Sequence, residues 1–431
     1  MQIKKYIDVD DLILFIVVLL SFCAMRTVIR YGEKYLVILG ILLCVYKFVK
    51  NSYLFISLES KVWIIFCVYV TLFLKWSCSV VSTIKYIRLS AFVLALMMII
   101  VNKEFIIKYI KIMYVGCVIT AISIMAELIN PLVISKYFWY FFEFRASAKN
   151  NIAYLKLGDR YNGAYSGLIG EKGDAAFFMC LGLAIVFSKC FARKKVTRMD
   201  IISIVLLAAA LLLTGKRMLF LISMTLPLLL ILLSDMRRES KVLHIFEIGF
   251  VALLAFAVII NVVPDLAKVF ERLNVNMGQD AAINERYRLW DICLKMFLES
   301  PIIGQGLAGF NQFSYNYGNL AGANAHNIYI QLLGETGLLG ASILVCFIIS
   351  TMIKNINIYR CRSHMNAEER NWMYFAFCGQ FIFLVYGITG NTFYYSFEFI
   401  MYVICLLIIN ILSLQLCRMD RSAVLVRGEH G

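Results

Sequence analysis

Long apolar runs follow one another along almost the whole chain and limit the folds available to it. Many are about 18–25 residues long, the length of an α-helix that crosses a hydrocarbon core of ~30 Å. Of the 431 residues, 61% are apolar and only 16% are charged, whereas roughly 45–50% apolar residues is usual in soluble domains. The runs therefore exclude a soluble enzyme, a secreted disulfide scaffold and a disordered protein.

The pattern predicts an all-α, polytopic transmembrane helical bundle that forms a single integral membrane domain over residues 1–431. The first run carries no small-residue cleavage site, so we expect it to be retained as a span. The runs give about twelve spans, near 12–29, 35–50, 62–81, 84–101, 111–129, 173–189, 201–214, 218–234, 243–262, 327–352, 373–390 and 397–417.

Basic residues set the orientation of the predicted bundle. With Lys4 and Lys5 inside, the alternation of spans places dense basic clusters within 190–200, 235–242 and 353–372 in the cytoplasm, as the positive-inside rule requires. Both termini are then cytoplasmic. The net charge of +15 follows from the same rule and does not require nucleic acid as a partner.

The thirteen cysteines do not form a disulfide or metal pattern. Most lie inside apolar runs, far apart, with no CxxC spacing and no histidine nearby. Such cysteines are typical of small buried hydrophobic residues. The outer loops also lack a set of histidines and carboxylates with ligand spacing. We therefore expect neither a metal nor another cofactor.

Two long loops, 130–172 and 263–326, face outward in this topology. The second contains an amphipathic stretch, 284–299, that predicts a helix closed by a Ser-Pro pair. Arg286 falls on its apolar face, where a charge either needs a partner or reaches lipid headgroups. The apolar face carries Leu289, Trp290, Cys293, Leu294 and Phe297, and the opposite face carries Arg288, Asp291, Lys295 and Glu299.

Further polar features gather near the predicted outer boundary. Gly304 and Gly306 permit tight turns or a close approach of backbone to a ligand. His326 lies at the mouth of the tenth span, as a site residue or an interfacial hydrogen bonder, and Glu335 lies deeper as a structural partner. Arg217 ends a short outer turn. It either anchors the topology of the chain or adds a second guanidinium on the side of the membrane where Arg286 and His326 are predicted to lie. Because arginine forms paired hydrogen bonds with phosphate, this set predicts recognition of a lipid-linked phosphate.

Three motifs occur in a fixed order within about 160–410: a TGxR turn, RxxxW followed by PxxGxG, and AHNxY followed by ExGxxG. Their order resembles the superfamily of O-antigen ligases and Wzy-type O-antigen or capsular polysaccharide polymerases. Arg160 opens a glycine-bearing segment like the one before the family's sixth span, but residues 171–174 replace the usual Pro-Asn, which indicates a different sugar substrate. The matching positions are Arg217; Arg286, Trp290, Pro301, Gly304 and Gly306; and His326, Asn327, Tyr329, Glu335, Gly337 and Gly340.

The resemblance implies a metal-independent glycosyltransferase of the bacterial cytoplasmic (inner) membrane, whose donor is a glycan on undecaprenyl pyrophosphate. Arg217 and Arg286 would hold the pyrophosphate, and His326 would orient or deprotonate the acceptor hydroxyl. Besides membrane lipids, a chain-length regulator and a flippase are candidate partners. The implied substrate-binding residues are Arg160, Asn327, Tyr329, Trp290, Gly304 and Gly306.

The acceptor distinguishes a polymerase from a ligase, and the sequence favours the polymerase. Aromatic residues of the 130–172 loop could stack on the sugar rings of a growing glycan, although an interfacial aromatic belt has the same composition. A transporter would show repeat symmetry and polar residues through the midplane of several spans. An inert scaffold would not need two arginines and a histidine at one level. The aromatic residues are Tyr137, Trp139, Tyr140, Tyr154, Tyr161 and Tyr165.

Overall fold

A computed structural model of the chain describes residues 8–23, 33–51, 56–130, 133–134, 164–234, 281–318 and 324–428. Within these ranges there are thirteen α-helices and three short 3-10 helices, and no strand. The α-helices are α1 (Val9–Cys23), α2 (Glu33–Asn51), α3 (Leu58–Leu72), α4 (Val80–Met98), α5 (Lys103–Ile129), α6 (Lys172–Arg193), α7 (Arg198–Leu213), α8 (Arg217–Leu233), α9 (Ala281–Glu299), α10 (Phe310–Tyr315), α11 (Ile328–Arg360), α12 (Ala367–Tyr386) and α13 (Ser396–Gly428).

The predicted spans agree with this set of helices. Each overlaps a described helix except the run at 243–262, which lies outside the described residues. The all-helical class of a membrane protein is therefore confirmed, whereas the total of twelve spans and the sidedness of the loops stay predictions. Among the described helices, five are long and apolar enough to cross a membrane: Val80–Met98, Lys103–Ile129, Lys172–Arg193, Ile328–Arg360 and Ser396–Leu416.

The chain divides into two compact units. The first comprises residues 1–21, 31–109 and 285–431, and the second comprises residues 22–30 and 110–284. Helix α5 runs from one unit into the other, because the division falls after Tyr109. A single membrane domain for the whole chain stays a prediction.

Aromatic side chains form the core of the first unit, where α3 packs on α4 and α11, and α12 packs on α13. Trp63 is fully buried, with its ring centroid 4.8 Å from that of Phe347 and 5.6 Å from that of Phe399. Its indole N–H donates to the carbonyl of Ser90 over 3.1 Å, which satisfies the polar edge of the buried ring. This core fixes α11, which carries residues of the candidate site, relative to α13, which directly follows another site segment.

The second unit packs α6 against α7 and α8. Helix α7 begins at a capping box: the Thr197 hydroxyl accepts from the Asp200 N–H over 3.3 Å, and the Asp200 carboxylate accepts from the Thr197 N–H over 2.9 Å. Such reciprocal bonds satisfy the free donors of a first helical turn. A tight turn in which Gly215 has a φ of 68° then leads to Arg217, the first residue of α8.

The predicted span at 62–81 was wrong at its carboxyl end. Helix α3 stops at Leu72, and a 3-10 helix follows over Leu74–Trp76. Beyond it, the Cys78 N–H donates to the Gln305 carbonyl over 2.8 Å. The backbone of this apolar run therefore bonds to a segment more than two hundred positions away, which no local pattern reveals.

Candidate functional site

The amphipathic helix predicted over 284–299 is α9, and it ends at Glu299 as expected. All four residues predicted for its polar face are exposed. Leu294, which was assigned to the apolar face, is 48% exposed, so that assignment was wrong. The buried stripe is centred on Ile292 and Cys293, and the core around it contains Leu289, Met296, Phe310, Phe313 and Ala325.

Arg286 extends this buried stripe by one turn toward the start of α9. A helical side chain lies beside those three and four positions later, which here are Leu289 and Trp290. The Arg286 side chain is half-buried and makes no hydrogen bond or ion pair with any residue that the structure describes, whereas Arg288 is exposed. A half-buried guanidinium with unused donors is suited to binding an anion.

Trp290 connects α9 to the segment that carries His326. Its indole N–H donates to the carbonyl of Ala325 over 2.9 Å, and the Ala325 N–H donates to the side-chain oxygen of Gln331 over 2.9 Å. Both backbone polar groups of Ala325, its carbonyl and its N–H, are therefore hydrogen-bonded to side chains. Because Arg286 lies one turn from Trp290 on the same helix, the structure brings Arg286 and His326 to the same part of the first unit.

His326 adopts a left-handed backbone conformation with a φ of 53°. Such a conformation costs roughly 1–3 kcal/mol outside glycine and persists only where the surroundings impose it. Here the side-chain oxygen of Asn391 accepts the His326 backbone N–H over 3.0 Å. The Asn391 amide nitrogen lies 3.2 Å from the ring Nδ1 of His326. Asn391 therefore fixes both the backbone and the ring of His326.

Sequence reasoning did not identify Asn391. It lies between α12 and α13, in a short polar segment with no recognisable spacing. Tyr394, three residues later, was missed for the same reason. The only signal was a group of polar residues between two apolar helices, which is typical of an ordinary connecting loop.

Asn327 and Tyr329, both predicted to bind substrate, hold helices together in the structure. Asn327 is the N-cap of α11, and its side-chain oxygen accepts the N–H groups of Tyr329 and Ile330 over 3.0 and 3.2 Å. The Tyr329 hydroxyl donates to the Leu384 carbonyl of α12 over 2.7 Å. These contacts orient the residues around His326, and the 38% exposed Tyr329 also keeps part of its ring accessible.

Helix α11 breaks at Gly337, which has a φ of 60° and a ψ of −168°. A break frees backbone groups that a buried helix must satisfy elsewhere. The segment 301–306 supplies the partners: the Gly306 N–H donates to the Glu335 carbonyl over 2.8 Å, and the Leu338 N–H donates to the Pro301 carbonyl over 2.8 Å. The segment 301–306 therefore replaces the helical hydrogen-bond partners that are missing at the break.

Gly304 and Gly306, predicted to approach a ligand, lie against the protein's own chain, and their contact with a ligand stays a prediction. A Cβ at Gly304 would collide with the backbone of Glu335, and one at Gly306 would collide with Ser77. Both residues have positive φ angles, 70° and 98°. Glycine is therefore required at these positions by packing as well as by conformation.

Glu335 is fully buried, and its carboxylate accepts hydrogen bonds from four groups. The backbone N–H groups of Ala308 and Phe310 donate over 2.6 and 3.1 Å, Gln331 donates over 2.9 Å and the Tyr394 hydroxyl donates over 2.6 Å. Burial, reinforced by the Glu335 charge, raises the pKa of Tyr394, so that the phenol remains a donor. Glu335, which lies on α11, thus connects this helix to the loop before α10 and to the loop before α13.

Arg217 belongs to the second unit, and Arg286 and His326 belong to the first. It is half-buried and, among the described residues, has no hydrogen-bond or ion-pair partner. In the same unit, the buried Glu127 carboxylate accepts the N–H groups of Ser166 and Gly167 over 3.0 and 2.8 Å. Arg160 lies outside the described residues.

The described part of the chain contains no group of three or more His, Cys, Asp and Glu side chains placed to hold a metal ion. Cys293, on the same helix as Arg286, is buried in the core beneath α9. Burial, with the Glu335 charge adding to it, raises the pKa of its thiol. It is therefore a packing residue and not a nucleophile.

Residues 202–345 match the Wzy_C family, described as O-antigen ligase. The resemblance to this superfamily is confirmed over that range, which contains Arg217, Arg286, His326 and Glu335. No curated protein matches the chain by sequence. The chain is thus a multi-pass membrane protein whose residues 202–345 are similar to a family described as O-antigen ligase.

Proposed function

We propose that the protein is a membrane glycosyltransferase that joins oligosaccharide repeat units, each carried on undecaprenyl pyrophosphate, into an O-antigen, capsular or exopolysaccharide chain at the outer leaflet. The observation that carries this proposal is the half-buried Arg286, which lacks a partner among the described residues and is linked through Trp290 to the residue before His326. The family match over 202–345 supports the same class of substrate.

In the proposed reaction, the acceptor hydroxyl oxygen forms a bond with the anomeric carbon of the donor sugar. The bond from that carbon to the phosphate oxygen breaks, and undecaprenyl pyrophosphate leaves with the electron pair. Negative charge therefore develops on the leaving group, where fixed donors stabilise it. Arg286 supplies such donors. Arg217 is proposed as the second guanidinium because it too has unused donors among the described residues.

His326 is proposed to act at the junction of the two substrates. The resemblance leaves two roles for it, orienting the acceptor hydroxyl or removing its proton. Asn327, Tyr329 and Glu335 are proposed to keep this segment in place, since their polar atoms bond to neighbouring protein groups. Arg160 remains a proposed contact for the glycan.

The test is transfer by the purified protein in lipid nanodiscs supplied with an undecaprenyl-pyrophosphate-linked oligosaccharide. We expect a ladder of longer lipid-linked glycans together with free undecaprenyl pyrophosphate, formed without added divalent ions. Arg286→Ala should abolish the ladder, and Lys295→Ala, which removes an exposed cation of the same helix, should retain it. Movement of intact substrate across the bilayer without new bonds would instead identify a transporter.

An O-antigen ligase is the second candidate, because the matching family is described by that activity. A ligase uses the same donor and differs in its acceptor, the lipid A core. Adding lipid A core to the nanodisc assay therefore separates the two candidates. Glycan attached to this acceptor with no ladder on the carrier would favour the ligase.

A further inference from the structure

Asn391 presents its two amide atoms to two different groups of His326. The amide oxygen accepts the His326 backbone N–H over 3.0 Å, and the amide nitrogen lies 3.2 Å from the ring Nδ1. The same nitrogen lies 3.4 Å from the Tyr395 hydroxyl. Since a backbone N–H can only donate, the atom facing it must be the amide oxygen. The orientation of the amide is therefore determined by its partners.

This orientation decides which ring nitrogen of His326 carries the proton. The Asn391 amide nitrogen is a donor and has no lone pair to offer, so Nδ1 must accept from it. A neutral imidazole has one donor and one acceptor nitrogen. Its proton is therefore on Nε2. Placing a proton on Nδ1 would set two donors against each other, and rotating the amide to avoid this would break the bond to the backbone.

We infer that Asn391 is a positioning residue that holds His326 as a hydrogen-bond donor through Nε2, and that His326 binds an oxygen of the pyrophosphate instead of deprotonating the acceptor. This inference rests on the proposed function and replaces the two roles left open for His326, because the ring then contacts the donor pyrophosphate and not the acceptor hydroxyl. It reverses the arrangement of serine proteases, where an aspartate accepts from Nδ1 and thereby makes Nε2 the base.

A donor at Nε2 complements the chemistry of Arg286. Both groups then donate hydrogen bonds to anionic oxygen, and Trp290 and Ala325 hold them in one part of the first unit. The proton of the acceptor hydroxyl passes to the departing pyrophosphate, whose newly freed terminal phosphate can accept it. No protein base is required, and the proton and the electron pair both leave with undecaprenyl pyrophosphate.

The tautomer can be measured without any assumption about activity. The chain has four histidines, so ¹⁵N-histidine labelling in lipid nanodiscs followed by solid-state NMR gives few signals, and the one lost in His326→Gln is assigned to His326. We expect a neutral ring protonated at Nε2. A ring protonated at Nδ1 in the unaltered protein would overturn the inference, whatever the protein is found to catalyse.

Substitution at Asn391 tests the role in transfer. Asn391→Asp offers Nδ1 a carboxylate oxygen, and at a pH where NMR shows the ring to be neutral it leaves Nε2 unprotonated. Transfer should then fall about tenfold to a hundredfold, the effect of losing one hydrogen bond to a charged group. A His326 that acts as a base predicts unchanged or faster transfer in this variant. Asn316→Asp, the same change at an exposed position, is the matched control.

A second pair of variants guards against a folding defect in Asn391→Asp. Glutamine places an N–H donor near the Nε2 position and cannot act as a base, so His326→Gln should retain several-fold more transfer than His326→Ala. Equal inactivity of the two variants, both inserted and folded, would contradict the donor role. If the unaltered protein transfers no glycan, the proposed function fails, and the NMR result still decides the tautomer.

Discussion

Arg286 and Arg288 are two arginines on one helix that differ in their surroundings. Arg286 is half-buried without a partner among the described residues, and Arg288 is exposed. Lysine keeps the charge but cannot form the paired hydrogen bonds of a guanidinium. We expect Arg286→Lys to lower the rate of glycan transfer at least about tenfold, with Arg288→Lys within twofold of the unaltered protein. Initial rates in nanodiscs, at matched protein content, measure both.

Equal losses in the two lysine variants would mean that the face of α9 toward the substrate is not the one that carries Arg286.

The phase of this helix could be predicted from the sequence because the spacing of apolar residues defines its buried side. The partner of His326 could not be predicted in this way. Asn391 is 65 positions away in the chain, and the two residues meet only in the folded structure.

At the scale of elements, the broken helix α11 and the segment 301–306 form one interlocked structure. A Cβ at Gly337 would lie 2.5 Å from the backbone of Ile302, whereas a Cβ at Gly318 would meet no atom of the described residues within 4 Å. Both glycines have positive φ, 60° and 77°. Alanine at either position therefore incurs backbone strain, at Gly337 in a region essentially confined to glycine because ψ is −168°, and only Gly337→Ala adds a collision with a described residue.

We expect Gly337→Ala to unfold at a clearly lower temperature than Gly318→Ala. Backbone strain costs roughly 1–3 kcal/mol at such positions, and the collision at Gly337 adds about 1–3 kcal/mol. Thermal unfolding of both variants in detergent, followed by tryptophan fluorescence, gives the comparison. Equal melting temperatures would show that segment 301–306 moves aside without cost, and the interlocked arrangement would then not support the site.

The sequence predicted most of these elements and missed the connection between them. Apolar runs of bilayer length located nearly every described helix, because crossing a membrane imposes a length and a composition. The break in α11 gave no such signal, since glycines are common in membrane helices. What makes Gly337 a break is the backbone of segment 301–306, which supplies the missing partners. Such partners are determined by tertiary packing.

At the scale of the whole molecule, the proposed chemistry requires the 263–326 segment to lie outside the cytoplasm, where polymerisation at the outer leaflet takes place. Basic clusters in the intervening loops predict this orientation, with both termini inside. A single cysteine at residue 280 in a background free of other reactive cysteines should react with a membrane-impermeant maleimide in intact cells. Labelling only after lysis would place the segment inside and rule out the proposed reaction.

The acceptor is the remaining property of the whole molecule, and we predict polymerase activity. The roles proposed for Arg217, Arg286 and His326 suit both activities, because both would transfer a glycan from the same carrier. The difference must come from sequence outside the shared motifs. There the 130–172 loop is rich in tyrosine and tryptophan, which can stack on the sugars of a growing chain, and residues 171–174 depart from the family's usual Pro-Asn.

Deleting the gene in its host tests this prediction, because the two activities leave different intermediates. Loss of a polymerase should leave single repeat units on the lipid carrier or at the cell surface, since the units are still made and exported but are not joined. Loss of a ligase should leave chains of normal length that are not attached to their anchor. Gel analysis of carrier-linked and surface glycans distinguishes the two. Full-length unattached chains would decide for the ligase. If the Arg288→Lys gene restores normal surface glycan and the Arg286→Lys gene does not, the activity, whichever it is, depends on the face of α9 that carries Arg286.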